Sequence, residues 1–244
     1  MTTGLLAEIA ESTTRYDFVY SNNVLQLADD PVGLMREMRN LAGANGLVCV
    51  TCPDATVPSN EILWSDQKYS LLPEHLSRMG NSAGLRLLRW RSNCGVDALN
   101  EKQLALFTTQ ENNALSPEDA ELPCVDSADL YAERRAYLET WPKVDAYLLA
   151  RAKGYQRIIC FGAGTWCQLL GAYCPGFWAM VSHCVVDDFG GNCLDKRVEP
   201  FVRENVRPND LLVLATPPAT QEKLEPRFRD LGISTVLWND FIQR

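Results

Sequence analysis

The stretch Asp17–Pro31, DFVYSNNVLQLADDP, decides the reading of the fold. Phe18–Val24 reads as a buried strand that turns polar at Asn22 and Asn23. Asp30 and Pro31 then start a helix, because Asp can cap the first N–H groups and Pro lacks an N–H that the first turn would leave unpaired. Leu34, Met35, Met38 and Leu41 recur at helical spacing, and Gly43 or Gly46 ends the helix. The next apolar run, GLVCVTCPD (46–54), is nearly continuous, as in a central strand covered on both faces. LPEHLSRMGNSAGLRLLRWRS (72–92) follows as helix, glycine turn and strand.

The pattern repeats after a less regular middle. GVDALNEKQLALFTTQ (95–110) fits either strand or helix, and the polar residues near Asn112–Asp126, with Pro117 and Pro123, read as a linker. Leu130, Tyr137, Leu138, Trp141, Val144 and Leu148 form an apolar stripe over Ser127–Lys153, which Pro142 must kink or split. From Tyr155 the order is strand, glycine turn and helix (YQRIICFGAGTWCQLLGAY), then a strand ending in two acids (SHCVVDDF). A further apolar strand (DLLVLATPP), a helix and a closing strand complete it. Strands alternating with helices predict an α/β protein with two Rossmann-like parallel-sheet segments joined by a helical region. The boundaries fall at residues 1–111, 112–153 and 154–244.

Composition narrows the partners. The chain has 244 residues, 46% hydrophobic and 22% charged, the balance of a globular protein with a real core. A net charge of −8 argues against nucleic acid, whose phosphates need a basic surface. No run of 18 apolar residues suggests a membrane span, and the N-terminus lacks a basic signal region, so a cytoplasmic location is expected. The nine cysteines lie mostly in apolar runs and read as reduced core residues. Cys49 and Cys52 fall on opposite faces of a strand, and His75 and His183 are the only histidines, so no metal site is expected.

Candidate ligand groups sit at strand ends. FGAG (161–164) follows a strand and opens a helix, where a dinucleotide or sugar-nucleotide phosphate can rest on free N–H groups. Asp187 and Asp188 end the next strand, where an acid can take ribose hydroxyls, and Thr216 ends the strand after DLLVL. Gly162, Gly164, Asp187, Asp188 and Thr216 thus outline a second cleft. The third glycine of the dinucleotide fingerprint is missing, so Gly162 and Gly164 equally fit a plain tight turn, and an NAD enzyme is the weaker reading. In the first segment Asn22, Asn23 and Asp54 occupy strand ends, where ligand contact and side-chain turns compete.

YDFVYSNNVLQLADDPVGLMREMRNLAGANGLVCVTCPD (16–54) resembles the second half of class I S-adenosylmethionine-dependent methyltransferases, from a fourth strand ending in a polar-then-VL element to an apolar fifth strand ending near Pro. YSLLPEHLSRMGNSAGLRLLRW (69–90) is similar to that family's late helix and last strand pair. CFGAGTWCQLL, CVVDDFGGNCLDKRVEP and DLLVLATPP resemble the C-terminal Rossmann-like domain of sugar C-methyltransferases. The resemblance implies an S-adenosylmethionine cofactor and a small-molecule or sugar-nucleotide acceptor. It places Asn22, Asn23 and Asp54 toward donor and acceptor, with Tyr69 as the family-matching polar residue and His75 as a stand-in base. It also implies an incomplete first sheet, since nothing ahead of Tyr16 matches the family's first strand and glycine loop. Phe18–Val24 should then expose an unpaired edge. A separate polypeptide, a second copy in a homodimer, or the helix LLAEIAES (5–12) could cover it. A split or truncated methyltransferase is the expectation, with a non-catalytic nucleotide-binding or assembly module as the alternative.

Overall fold

The computed structural model describes residues 15–92, 102–109, 122–188, 190–238 and 241. The helix expected over residues 5–12 and most of the linker lie outside these. The chain is α/β and divides into two compact units, Met1–Glu133 and Arg134–Arg244. The division falls inside the helical stretch.

The first unit holds a mixed four-stranded sheet. Its strands are β1 (Phe18–Asn22), β2 (Leu47–Pro53), β3 (Leu85–Arg91) and β4 (Lys102–Thr109), in the order β1-β2-β4-β3. β1 and β2 are parallel, whereas β4 enters antiparallel to both β2 and β3. The expected parallel pairing holds for β1 and β2, and β4, antiparallel to both its neighbours, makes the sheet mixed. β1 lies at the edge, and among the described residues no strand pairs with its other side. Phe18 and Tyr20 there are each 54% exposed.

Helix α1 (Pro31–Ala42) starts as the sequence predicts: Asp30 caps it by accepting from the Gly33 N–H at 2.8 Å. Its Met35 and Met38 pack with Val48, Val50, Leu85 and Phe107 of the sheet. Helix α2 (Pro73–Ser82) adds Leu76 to this core. It can approach the sheet because Gly80 has no side chain: a Cβ there would lie 2.5 Å from the Phe107 ring. In β3 the strict alternation breaks at Leu88, where the register slips between Leu87 and Arg89. The bulge lets Leu85 and Leu88 both turn inward, three residues apart.

Helix α3 (Ser127–Leu138) is separated from α4 (Thr140–Ala152) at Glu139. Pro142 thus sits in the first turn of α4, where a missing N–H costs nothing.

The second unit carries six strands: β5 (Arg157–Phe161), β6 (Val181–Val186), β7 (Gly191–Cys193), β8 (Lys196–Pro200), β9 (Asp210–Leu214) and β10 (Thr235–Val236). Their order is β10-β9-β5-β6-β8-β7, parallel except for the β7–β8 hairpin. Helices α5 (Thr165–Tyr173), α6 (Pro175–Met180) and α7 (Pro218–Asp230) complete the unit. The chain leaves β5 on one side for β6 and returns on the other as β9, so the connections diverge between β5 and β9. Ile159, Phe161, Leu212, Leu214 and Phe228 anchor one core cluster.

Candidate functional site

At the carboxyl ends of β1 and β2 the first unit opens into a cleft of about 220 Å³ lined by Asn23, Gln26, Pro53, Glu61, Trp64 and Gln67, among others. The sequence builds it locally. β1 stops because Asn23 adopts a left-handed backbone with φ of 54°, which Asn tolerates better than most side chains. Its N–H still bonds the Thr51 carbonyl at 2.8 Å, so the turn stays tied to β2. Leu25, fully buried, then pins the next turn into the core, which draws the neighbouring Gln26 inside as well, at 2% exposure. The Gln26 carbonyl holds the far wall by accepting from the Lys68 and Tyr69 N–H groups at 3.1 and 3.2 Å. Ser59 caps the short turn Asn60–Leu63 and sets Glu61, 5% exposed, into the lining.

Three amide oxygens in this lining have no partner among the described residues: Asn23 Oδ1, Gln26 Oε1 and Gln67 Oε1, all shielded from solvent. A buried polar atom without a partner costs about 1–3 kcal/mol, so three around one cleft need a cause. Glu61 adds a carboxylate, whose Oε1 accepts from the Ser70 hydroxyl at 2.7 Å. Trp64 gives the cleft an aromatic wall, and Asp66 and Lys102 complete its charged groups. The lining is therefore rich in acceptors and suits a ligand rich in donors.

The residues expected at this site from sequence divide. Asn23 lines the cleft. Asn22 instead accepts from the Thr51 hydroxyl at 2.8 Å, which itself receives the Tyr20 hydroxyl at 3.1 Å. That chain of bonds ties β1 to β2. Asp54 is fully buried and accepts from the Thr56 N–H at 2.9 Å, the Thr56 hydroxyl at 2.6 Å and the Ser92 hydroxyl. It shapes the turn after β2 and does not line the cleft. Tyr69 is 39% exposed and reaches the Asp29 carbonyl at 3.4 Å. His75 accepts the Leu72 N–H at 3.2 Å on its Nδ1, capping α2. Neither Tyr69 nor His75 lines the cleft. Gln26, Glu61, Trp64 and Gln67 escaped the sequence reading. The Leu-Gln-Leu pattern at 25–27 was the one usable signal, a polar residue between two apolar ones in a turn.

In the second unit Gly162 and Gly164 lie in the β5–α5 turn. Gly162 has φ of 116°, and a Cβ there would come within 2.5 Å of the Ala215 carbonyl oxygen. Only glycine fits, since β5 and the end of β9 meet backbone to backbone. Gly164 faces open space. Thr216 Oγ1 is buried without a partner among the described residues, whereas the Thr216 carbonyl accepts from Gln221 at 3.0 Å. Asp187 grips Arg227 through two bonds of 2.9 and 2.6 Å. Arg227 holds the Asp187 carboxyl below its usual range. The same guanidinium lies 5.1–5.5 Å from the rings of Phe228, Phe201 and Phe161. Asp187 is thus engaged by Arg227, while Asp188 is exposed.

No protein-family profile matches the sequence, and no curated protein matches it. Among solved structures the chain is similar to the CcbJ methyltransferase of Streptomyces caelestis, with a TM-score of 0.32 and 17% identity. The match covers 41% of this chain and spans 65% of that one. A likeness that loose assigns neither activity nor substrate.

Proposed function

We propose that this is a methyltransferase-like protein whose first unit binds a small polar metabolite in the cleft beyond β1 and β2. The observation that carries the reading is the set of three partnerless amide oxygens beside a buried carboxylate. Acceptors in a lining call for donors on the ligand, and hydroxyl or amino groups of a sugar-like ring supply them. Size favours the same class. Drug-sized ligands occupy roughly 300–1,000 Å³, so about 220 Å³ takes one ring or an amino-acid-sized end of a larger molecule. In this reading Asn23, Gln26 and Gln67 orient the acceptor, and Trp64 packs on its apolar face. Glu61 receives the proton that the attacking hydroxyl or amine gives up when it takes a methyl group. S-adenosylmethionine is the donor. A further strand, from a second copy or a separate polypeptide, pairs with the free side of β1 next to the cleft.

The test is isothermal titration of the purified chain with S-adenosylmethionine and with a panel of nucleoside-diphosphate sugars, followed by a labelled-methyl transfer assay. The reading expects a sugar nucleotide to bind and to accept the label, with Glu61→Gln abolishing transfer but not binding. Sugar binding without transfer favours a binding module. No heat with any ligand, from a chain that melts cooperatively, overturns the reading.

A further inference from the structure

Four of the cysteines meet in the second unit, although the sequence scatters them. Cys160 sits on β5 and Cys184 on β6, directly opposite each other in the parallel ladder. Cys184 pairs in turn with Val198 of β8, which faces Gly191 of β7. Cys193 is two residues further along β7 and therefore shares the face of Gly191. Cys167, on the first turn of α5, comes from the helix rather than the sheet. The sulfurs of Cys167, Cys184 and Cys193 all lie within 4.8 Å of one another, and those of Cys167 and Cys184 are 3.5 Å apart. All four cysteines are at most 1% exposed, and none is in a disulfide.

We propose that Cys167, Cys184 and Cys193 form a binding site for a soft divalent ion of the zinc type. Zinc bound to sulfur at about 2.3 Å in a tetrahedron sets its ligands about 3.8 Å apart, close to the spacing these sulfurs already have. Three different elements supply the ligands, so the rotamers are fixed by packing before any ion arrives. Cys160, opposite Cys184 in the ladder, is a further buried thiol beside the three ligands. Loading exchanges the ligand thiol protons for the ion, one proton released per thiolate formed. The thiolate form has local support. Cys167 lies in a helix first turn, whose free N–H groups favour negative charge. Buried cysteines acting as small hydrophobes need not aim their sulfurs at one point; a cluster this tight asks for an occupant. The ion ties the outer β7–β8 hairpin to β6 and α5 and stands independent of the cleft in the first unit.

The experiment is cobalt titration of the full chain, purified under reducing, metal-free conditions. One cobalt per chain is expected, with the visible absorption of a tetrahedral thiolate site, displaced by equimolar zinc. Cys184→Ala and Cys193→Ala should weaken uptake by more than the roughly 10–100-fold that loss of an outer partner costs. Cys193 lies on an edge hairpin, so its variant tests the site without opening the central sheet. Cys124→Ala, at an exposed thiol, should leave uptake unchanged. No uptake by a cooperatively melting protein with reduced thiols overturns the proposal. So does a cobalt spectrum that survives Cys193→Ala.

Discussion

Gln26 in the first unit and Gln221 in the second are equally hidden, at 2% and 0% exposure, yet they do opposite things. Gln221 spends its amide on structure. Its Nε2 donates to the Thr216 carbonyl at 3.0 Å and its Oε1 accepts the Trp238 N–H at 2.9 Å, which fastens α7 to the end of β9 and to the last described segment. Gln26 keeps its Oε1 without a partner beside two others in the same condition. The strand ends repeat the contrast. The acid ending β6 is gripped by Arg227 over three phenylalanine rings, whereas the turn after β1 lines a cleft with buried amide oxygens that no described residue bonds. Position at the carboxyl end of a strand does not by itself make a ligand site; unspent hydrogen-bonding capacity does.

Substitutions can break this contrast. The largest effect is expected from Gly162→Ala, which forces a Cβ against the Ala215 carbonyl at positive φ; a loss of roughly 3 kcal/mol or more should appear in urea unfolding. Gln221→Leu should cost about 2–3 kcal/mol, because it strands the Trp238 N–H and the Thr216 carbonyl in the interior. The same change at Gln26 should go the other way. Gln26→Leu removes a partnerless oxygen and is expected to stabilise the unliganded protein by about 1 kcal/mol. A loss comparable to that of Gln221→Leu would mean the Gln26 amide is structural. The smallest effect belongs to Asp187→Ala, at most about 0.5 kcal/mol, since both partners are well exposed to solvent. Arg227 lowers the Asp187 carboxyl. The pair's small contribution is therefore present above the ordinary carboxylate range and fades as pH falls through the lowered value.

Much of this fold was legible. The capped start of α1, the apolar run of β2 and the glycine turn after β5 are each local signals, read from neighbours within a few residues. β4 was not, because KQLALFTT alternates only loosely and its insertion between β2 and β3 is a long-range event. The site was legible only at Asn23. Whether a strand-end amide bonds its own backbone, a neighbouring strand or a ligand depends on geometry a few ångströms wide. Asn22 and Asn23 are adjacent in sequence and part ways there. The thiol cluster was hidden for the same reason. Its members are separated by 6, 16 and 8 residues, and only the strand register and the hairpin bring their sulfurs together.

In the proposed reading the unpartnered acceptors of the first unit cost stability and serve binding. Calorimetric titration of nucleoside-diphosphate sugars into the wild type and into Gln26→Leu, with melting curves of both, tests it most directly. The account predicts a variant that melts at or above the wild-type temperature and binds at least tenfold more weakly. A variant that melts lower and binds equally well would contradict it.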